Sequence, residues 1–158
     1  MLVPGEILGE RFVLELSIGV GGMGTVYRAL DRATGRHVAV KVGRDDERRE
    51  DARFEAEIAL LAELSHRGIV GYVAHGTSSA GRPFLAMELL EGEDLGARLA
   101  RGPLSIPEAL AVIRGAAEAL VEPHRRGIVH RDLKPSNLFL VARAPERVTI
   151  LDFGIARG

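Results

Sequence analysis

His130-Arg131-Asp132-Leu133-Lys134-Pro135-Ser136-Asn137, with Asp152-Phe153-Gly154 one short hairpin further on, decides how this chain is read. The first run crowds basic, acidic, hydroxyl and amide side chains into one loop. The second follows the apolar and β-branched run Val148-Thr149-Ile150-Leu151, so its carboxylate stands at a strand end beside a glycine. Magnesium prefers oxygen ligands, few of them from protein and the rest from water and phosphate. Asn137 and Asp152 offer oxygens of that kind.

Working back along the chain, Gly19-Val20-Gly21-Gly22-Met23-Gly24-Thr25-Val26 fits G-x-G-x-x-G-x-V. Glycines let a backbone approach an anion closely and present N–H groups to phosphate oxygens. A dinucleotide-binding fingerprint needs strand, glycines and then helix. Here the glycines are followed by Thr25-Val26-Tyr27-Arg28-Ala29, which alternates as a strand does, and by a polar turn at 31–35. A Walker-type phosphate loop is also excluded, since no Gly-Lys-Ser/Thr follows. The glycines therefore join two strands of a hairpin. With Phe12-Val13-Leu14-Glu15-Leu16 before them and His37-Val38-Ala39-Val40-Lys41-Val42 after, three consecutive antiparallel strands are expected.

Alternation puts Lys41 on the same face as Ala39. A lysine on an inner face is costly unless paired, and a phosphate plus a carboxylate would satisfy it. Glu57, on a helix expected over 50–64 with Phe54, Ile58 and Leu61 on one side, is the candidate carboxylate. The alternative for Lys41 is a side chain snorkelling from a sheet edge.

The dense charge over 44–57 reads mainly as a solvated linker or helix face. The runs 68–76 and 83–90 have strand length, and Gly92 breaks the pattern. Asp94 can cap a short helix ending near Ala100. Ser105-x-x-Glu108 forms a capping box for a longer helix, with Leu110, Ile113, Ala117 and Leu120 along one side. Pro123 should end or kink that helix, and Gly127 is a natural stop. A strand is expected at 138–141, a turn at 144–147 and a last strand at 148–151. The fold class is α+β: a β-rich lobe with one key helix, then a mostly helical second lobe, with a hinge between 87 and 93.

The hydrophobic fraction of 46% supports a real core, and with only 4% aromatics that core must rest on aliphatic side chains. Lys plus Arg number 21 and Asp plus Glu 22, for a net charge of −1, which argues against a general nucleic-acid binder. With no cysteine, disulfides and thiolate metal sites are impossible, which fits a reducing cytoplasm. The first ten residues lack the pattern of a signal peptide, and no membrane-length apolar run occurs.

Four motifs thus occur in one order: the glycine loop, Val-Ala-Val-Lys, His-Arg-Asp with its later Asn, and Asp-Phe-Gly. Together they match the general protein-kinase signature. From about Phe12 to Arg157 the chain resembles eukaryotic-like Ser/Thr protein kinases of the bacterial branch, through wording such as Gly-Gly-Met-Gly and Arg-Gly-Ile-Val-His-Arg-Asp-Leu-Lys-Pro-Ser-Asn. The resemblance implies an N-lobe over 12–90 and the first part of a C-lobe over 91–158. It implies ATP and magnesium as cofactors, protein Ser/Thr hydroxyls as acceptors, and transfer of the γ-phosphoryl group. Gly19, Gly21, Gly22 and Gly24 would cover the phosphates, and Lys41 would hold them while pairing with Glu57. Ile18, Val26, Ala39, Phe139 and Leu151 would enclose the adenine beside the gatekeeper-like Met87. Glu88 and Leu90 would offer it backbone hydrogen bonds, and Asp94 would reach the ribose. Asp132 would accept the hydroxyl proton, Lys134 would steady the γ-phosphate, and Asn137 and Asp152 would hold magnesium.

The family pattern continues past Gly158 with an activation segment and further helices. A chain stopping there is expected to have a poorly preorganised catalytic loop, exposed apolar surface on the long helix and little phosphotransfer of its own. A non-catalytic nucleotide-binding or regulatory module is the alternative, although every catalytic position present is intact. A small-molecule phosphotransferase of the same fold is a weaker rival, since such enzymes usually lack the His-Arg-Asp-Leu-Lys-Pro and Asp-Phe-Gly wording.

Overall fold

The computed structural model describes residues 4–21, 24–43, 58–59 and 61–151. Gly22, Glu57 and Asp152, and most of the helix expected over 50–64, lie outside the described residues. Within that span, residues 58–59 and 61–63 are helical, with Ile58 and Leu61 buried. The chain divides into two compact units: one of Met1–Ala62 and Tyr72–Leu89, the other of Glu63–Gly71 and Leu90–Gly158.

The first unit is built on a six-stranded sheet of β1 (Ile7–Leu8), β2 (Phe12–Gly21), β3 (Gly24–Asp31), β4 (Arg36–Val42), β5 (Tyr72–Thr77) and β6 (Pro83–Glu88), in the order β1-β2-β3-β4-β6-β5. All its pairings are antiparallel. The three-strand meander expected from alternation is present as β2-β3-β4. One face of the sheet carries the core: Phe12, Leu14, Tyr27, Ala29, Val38, Val40, Val42, Phe84 and Ala86. The rings of Phe12 and Phe84 meet edge-to-face at 5.9 Å between centroids, a favoured aromatic geometry. β1 lies upstream of the expected strands and puts Leu8 into this core, fully buried.

Asp31 closes β3 and is 1% exposed. Arg11 grips it with two nitrogens, Nε to Oδ1 at 2.7 Å and Nη2 to Oδ2 at 2.8 Å, while Thr34 Oγ1 and the Ala33 N–H donate to the same carboxylate. The Arg11 hydrogen bonds are foremost in holding the Asp31 carboxyl well below the usual carboxylate range, against burial, which pushes the other way. A depressed folded-state value means that the stabilisation is complete above the unfolded value of 3.8 and is lost as pH falls through the folded one. Asp31→Asn is expected to lower stability at neutral pH by about 2 kcal/mol. It should also shrink the gap to the parent protein as acid is added, which thermal melts over a pH series would read. A gap that stays constant down to strong acid would refute this account of Asp31.

The second unit holds a three-stranded sheet of β7 (Gly92–Asp94), β8 (Leu138–Val141) and β9 (Val148–Ile150), with helices α1 (Leu95–Leu99) and α2 (Ile106–Arg125). Asp94 caps α1, accepting from the Ala97 N–H at 2.9 Å. The capping box of α2 is formed in both directions: Glu108 N–H to Ser105 Oγ at 3.4 Å, and Ser105 N–H to Glu108 Oε2 at 2.7 Å. Pro123 lies inside the last turn, and α2 runs only to Arg125. It ends in a Schellman motif, with Ile128 N–H on Pro123 O, Gly127 N–H on His124 O, and Gly127 at φ +75°.

The apolar side expected for α2 is not its inward side. Leu110 and Ile113 are 62% and 66% exposed, whereas Val112, Ala116, Ala119 and Pro123 are buried. The reason is close approach. Small residues let the helix come down onto β9, so that a Cβ on Gly115 would stand 3.4 Å from Val148 Cβ. No described helix is long and apolar enough to cross a membrane.

The β8–β9 connection opens with a turn through Ala142 and Arg143, at φ 54° and 59°, with the Ala144 N–H on Val141 O at 3.1 Å, and a second turn follows over 144–147, with the Arg147 N–H on Ala144 O at 2.9 Å. Two successive left-handed residues are what a type I′ turn demands, and Asn-Gly is its preferred pair. Ala142→Asn combined with Arg143→Gly is therefore expected to stabilise the protein by about 1 kcal/mol, read as a higher Tm. An unchanged or lower Tm would mean that neighbouring contacts already offset the strain.

Candidate nucleotide and catalytic site

Directly opposed residues of neighbouring strands share a face. The registers of β2, β3, β4 and β6 place Gly19, Val26, Lys41 and Leu85 in one row. Ala39 and Met87 oppose each other in the adjacent row, one pleat along on the same side. This side lies opposite the Tyr27-Val40-Ala86 core. Five separated sequence positions singled out above thus meet on one sheet surface. All of β4 from Val38 to Val42 is buried, Lys41 at 4% exposed, so both faces of the strand are covered and Lys41 is not at an open edge. Glu88 ends β6 opposite Val38, and Leu90 follows outside any strand.

The hairpin remains strand up to Gly21 and resumes at Gly24, which pair with each other. Ile18 is the extra residue of a bulge between Ser17 and Gly19 and is 47% exposed. The glycines differ in what they answer to. Gly24 has φ +149°, and a Cβ there would stand 2.2 Å from Val42 O. Among the described residues, a Cβ at Gly19 or Gly21 would meet nothing nearer than 3.9 Å or 4.0 Å. The packing of the described residues therefore does not demand glycine at 19 and 21, and the space that their missing side chains leave fits a phosphate drawn close to the backbone.

In the second unit Asp94 on β7 opposes Phe139 on β8, and the Leu151 N–H donates to Asn137 O at 3.0 Å. Asp94, Phe139, Asn137 and Leu151 are thereby tied through one small sheet. Asp94 spends Oδ1 on the α1 cap. Its neighbour Glu93 is clamped by both Arg101 nitrogens, one of them at 2.6 Å, which lowers the Glu93 pKa.

The catalytic-loop stretch folds tightly. His130 is buried and its carbonyl accepts from the Asp132 N–H at 2.8 Å. A 3-10 turn over Pro135–Asn137 follows Lys134. Lys134 Nζ lies 2.7 Å from Asp132 Oδ2, and Asn137 Nδ2 donates to Asp132 O at 2.9 Å. That donor fixes the orientation of the amide, because its oxygen would be repelled by the carbonyl. The harder ligand, Asn137 Oδ1, is left for another partner, which fits the oxygen preference of magnesium. Asp152 lies outside the described residues, and so does Glu57.

Sequence reasoning named Arg131 within its motif but not its backbone conformation, at φ 59° in the left-handed region. Such a conformation in a non-glycine residue persists only where surrounding contacts over-determine it. Sequence offers no local signal for it.

Residues 12–158 match the family model described as the protein kinase domain. The chain belongs to the protein kinase family. It is 40% identical over 162 residues to the Ser/Thr-protein kinase pkn2 of Myxococcus xanthus, covering 99% of this chain and 19% of that protein. It is 39% identical to the Ser/Thr-protein kinase PknA of Mycobacterium tuberculosis, covering 97% of this chain and 37% of that protein. The crystal structure of the M. tuberculosis PknI kinase domain superposes with a TM-score of 0.83 at 29% identity, covering 99% of this chain and 62% of that one. The chain thus spans a fraction of the curated kinases it matches. Protein kinases as a family use ATP and magnesium, and the oxygen and backbone donors described above suit both.

Proposed function

We propose that this chain forms the nucleotide-binding and catalytic-loop part of a Ser/Thr protein kinase, which moves the terminal phosphoryl group of ATP to a protein serine or threonine hydroxyl. The observation that carries this reading is the Asp132 loop, where one carboxylate is held by the Lys134 ammonium at 2.7 Å and one carbonyl by Asn137. That arrangement keeps the Asp132 carboxylate beside a cation able to meet phosphate.

The roles follow from chemistry. Asp132 accepts the proton of the attacking hydroxyl, and Lys134 swings from Asp132 towards the transferring group's oxygens. Gly19, Gly21, Gly22 and Gly24 present backbone N–H groups to phosphate. Lys41, buried beside Val26 and Ala39, holds phosphate oxygens with Glu57 as its partner carboxylate. Ile18, Val26, Ala39, Met87, Phe139 and Leu151 offer apolar surface to adenine, and Glu88 and Leu90 offer backbone groups. Asp94 keeps Oδ2 for the ribose while Oδ1 caps α1. Asn137 and Asp152 would hold magnesium, which when bound neutralises phosphate charge. Catalysis on this reading is positioning plus charge neutralisation. The two functional regions are the N-lobe, 12–90, and the start of the C-lobe, 91–158. The balanced charge favours protein over nucleic-acid partners, and the lack of cysteine favours the cytoplasm.

The test is to supply a complete kinase domain containing this chain with magnesium, labelled ATP and matched peptides carrying a single Ser, Thr or Tyr acceptor. Label should appear on the Ser and Thr peptides. ATP binding without transfer to any peptide would instead select the regulatory-module reading.

A further inference from the structure

Residues 63–71 interrupt the first unit, yet they pack with the second. Ile150, the last residue of β9, is 0% exposed and turns both of its backbone groups towards this segment. Its N–H donates to Gly68 O at 2.8 Å, and its carbonyl accepts from the Val70 N–H at 3.0 Å. A parallel bridge joins Ile69 to Ile150. On its other edge, the next amide, that of Leu151, turns to Asn137 O. The strand leading to Asp152 is therefore held from two sides, by β8 and by residues 68–70.

The segment is seated on α2 with no room to spare. A Cβ at Gly68 would stand 2.7 Å from Ala119 Cβ, an atom fixed directly to the helix backbone. Arg67 reaches Glu118 at 3.2 Å, Arg126 Nη1 donates to Glu63 O at 3.4 Å, and the Gly68 N–H donates to His66 Nδ1 at 3.0 Å. None of the sequence motifs includes Gly68 or Ala119.

We infer that Gly68 is a positioning residue: its contact with Ala119 seats residues 68–70 at the depth where they can clamp Ile150, and so fixes the end of β9 two residues before Asp152, the proposed magnesium ligand. The inference rests on the proposed role of Asp152. A methyl at 68 has to lift the segment off the helix, which stretches the two Ile150 hydrogen bonds while leaving the glycine hairpin and Lys41 untouched.

The experiment uses Gly68→Ala, Ala119→Gly, the double variant, and Ala119→Ser as a milder intrusion into the same contact. Two quantities are read: amide hydrogen exchange at Ile150 and Val70, and ATP affinity measured with and without magnesium. Gly68→Ala should speed exchange at both amides and weaken ATP binding about tenfold with magnesium, as loss of an outer-shell support does, while magnesium-free binding stays put. Ala119→Ser should move both readouts the same way by less. The double variant should return both to the level of Ala119→Gly alone. If Gly68→Ala does not fold, recovery of folding in the double variant reads the same coupling, and Ala119→Ser carries the magnesium comparison. Unchanged exchange at Ile150 in the folded variants, or faster exchange with equal losses in both ATP series, overturns the inference. If the parent protein binds no ATP, the proposed function fails by itself, and the inference, which rests on it, falls with it even where exchange at Ile150 responds.

Discussion

Asp132→Asn is expected to lower phosphoryl transfer by about a hundredfold to ten-thousandfold, the usual share of a general base. ATP affinity should stay within about twofold of the parent, because the substitution is isosteric and the proposed nucleotide contacts lie on other residues. The structure sharpens what is tested. The Asp132 backbone is fixed independently of its carboxylate, by the His130 carbonyl at 2.8 Å and Asn137 Nδ2 at 2.9 Å, so the loop should keep its shape. What is lost is the acceptor and the 2.7 Å pairing with Lys134. Single-turnover transfer and ATP titration on the same preparation separate the two effects. Full transfer by the variant would remove Asp132 from the role of base, and a large loss of ATP affinity would show that it acts on binding.

Gly24→Ala is expected to destabilise the protein by about 3 kcal/mol, combining an unfavourable φ with a steric conflict that the backbone must absorb. The atom in the way is Val42 O, 2.2 Å from the new Cβ, and Val42 is 3% exposed in the first unit's core. Relief means moving the start of β3 away from β4. Gly19→Ala and Gly21→Ala are the controls. Each should melt within about a degree of the parent, since exposed substitutions without a structural conflict change little. Each should nevertheless weaken ATP binding, because the added methyl occupies space left for phosphate. Equal destabilisation by all three would mean that the hairpin needs its glycines for folding alone. Equal Tm with unchanged ATP affinity at 19 and 21 would remove the phosphate cradle.

The positions proposed for the site stand out in the sequence because their signals are local. Glycines at fixed offsets between alternating runs specify a hairpin, and an Asp, Lys and Asn within one short loop meet whatever the rest of the chain does. The same holds for the Asp94 cap and the Ser105–Glu108 capping box, whose partners lie three residues apart. Other features depend on residues distant in the chain and carry no such signal. Period alone pointed to Leu110 and Ile113 as one side of the long helix, but the need to approach β9 closely turned the side of Ala116 and Ala119 inward. The spacing of the glycine motif treats its members alike, whereas the backbone at φ +149° and the nearness of Val42 make Gly24 a requirement of the fold. Nothing in Gly68-Ile69-Val70 distinguishes it from the front of a strand. The stretch is a clamp because Ile150, far along the chain, has two buried backbone groups that must be hydrogen-bonded. Sequence by itself picked out the residues proposed for the chemistry and determined which caps form around them. Tertiary structure alone decided which faces are buried and which glycines are obligatory, because burial and steric exclusion arise only where remote segments come within a few ångströms of each other.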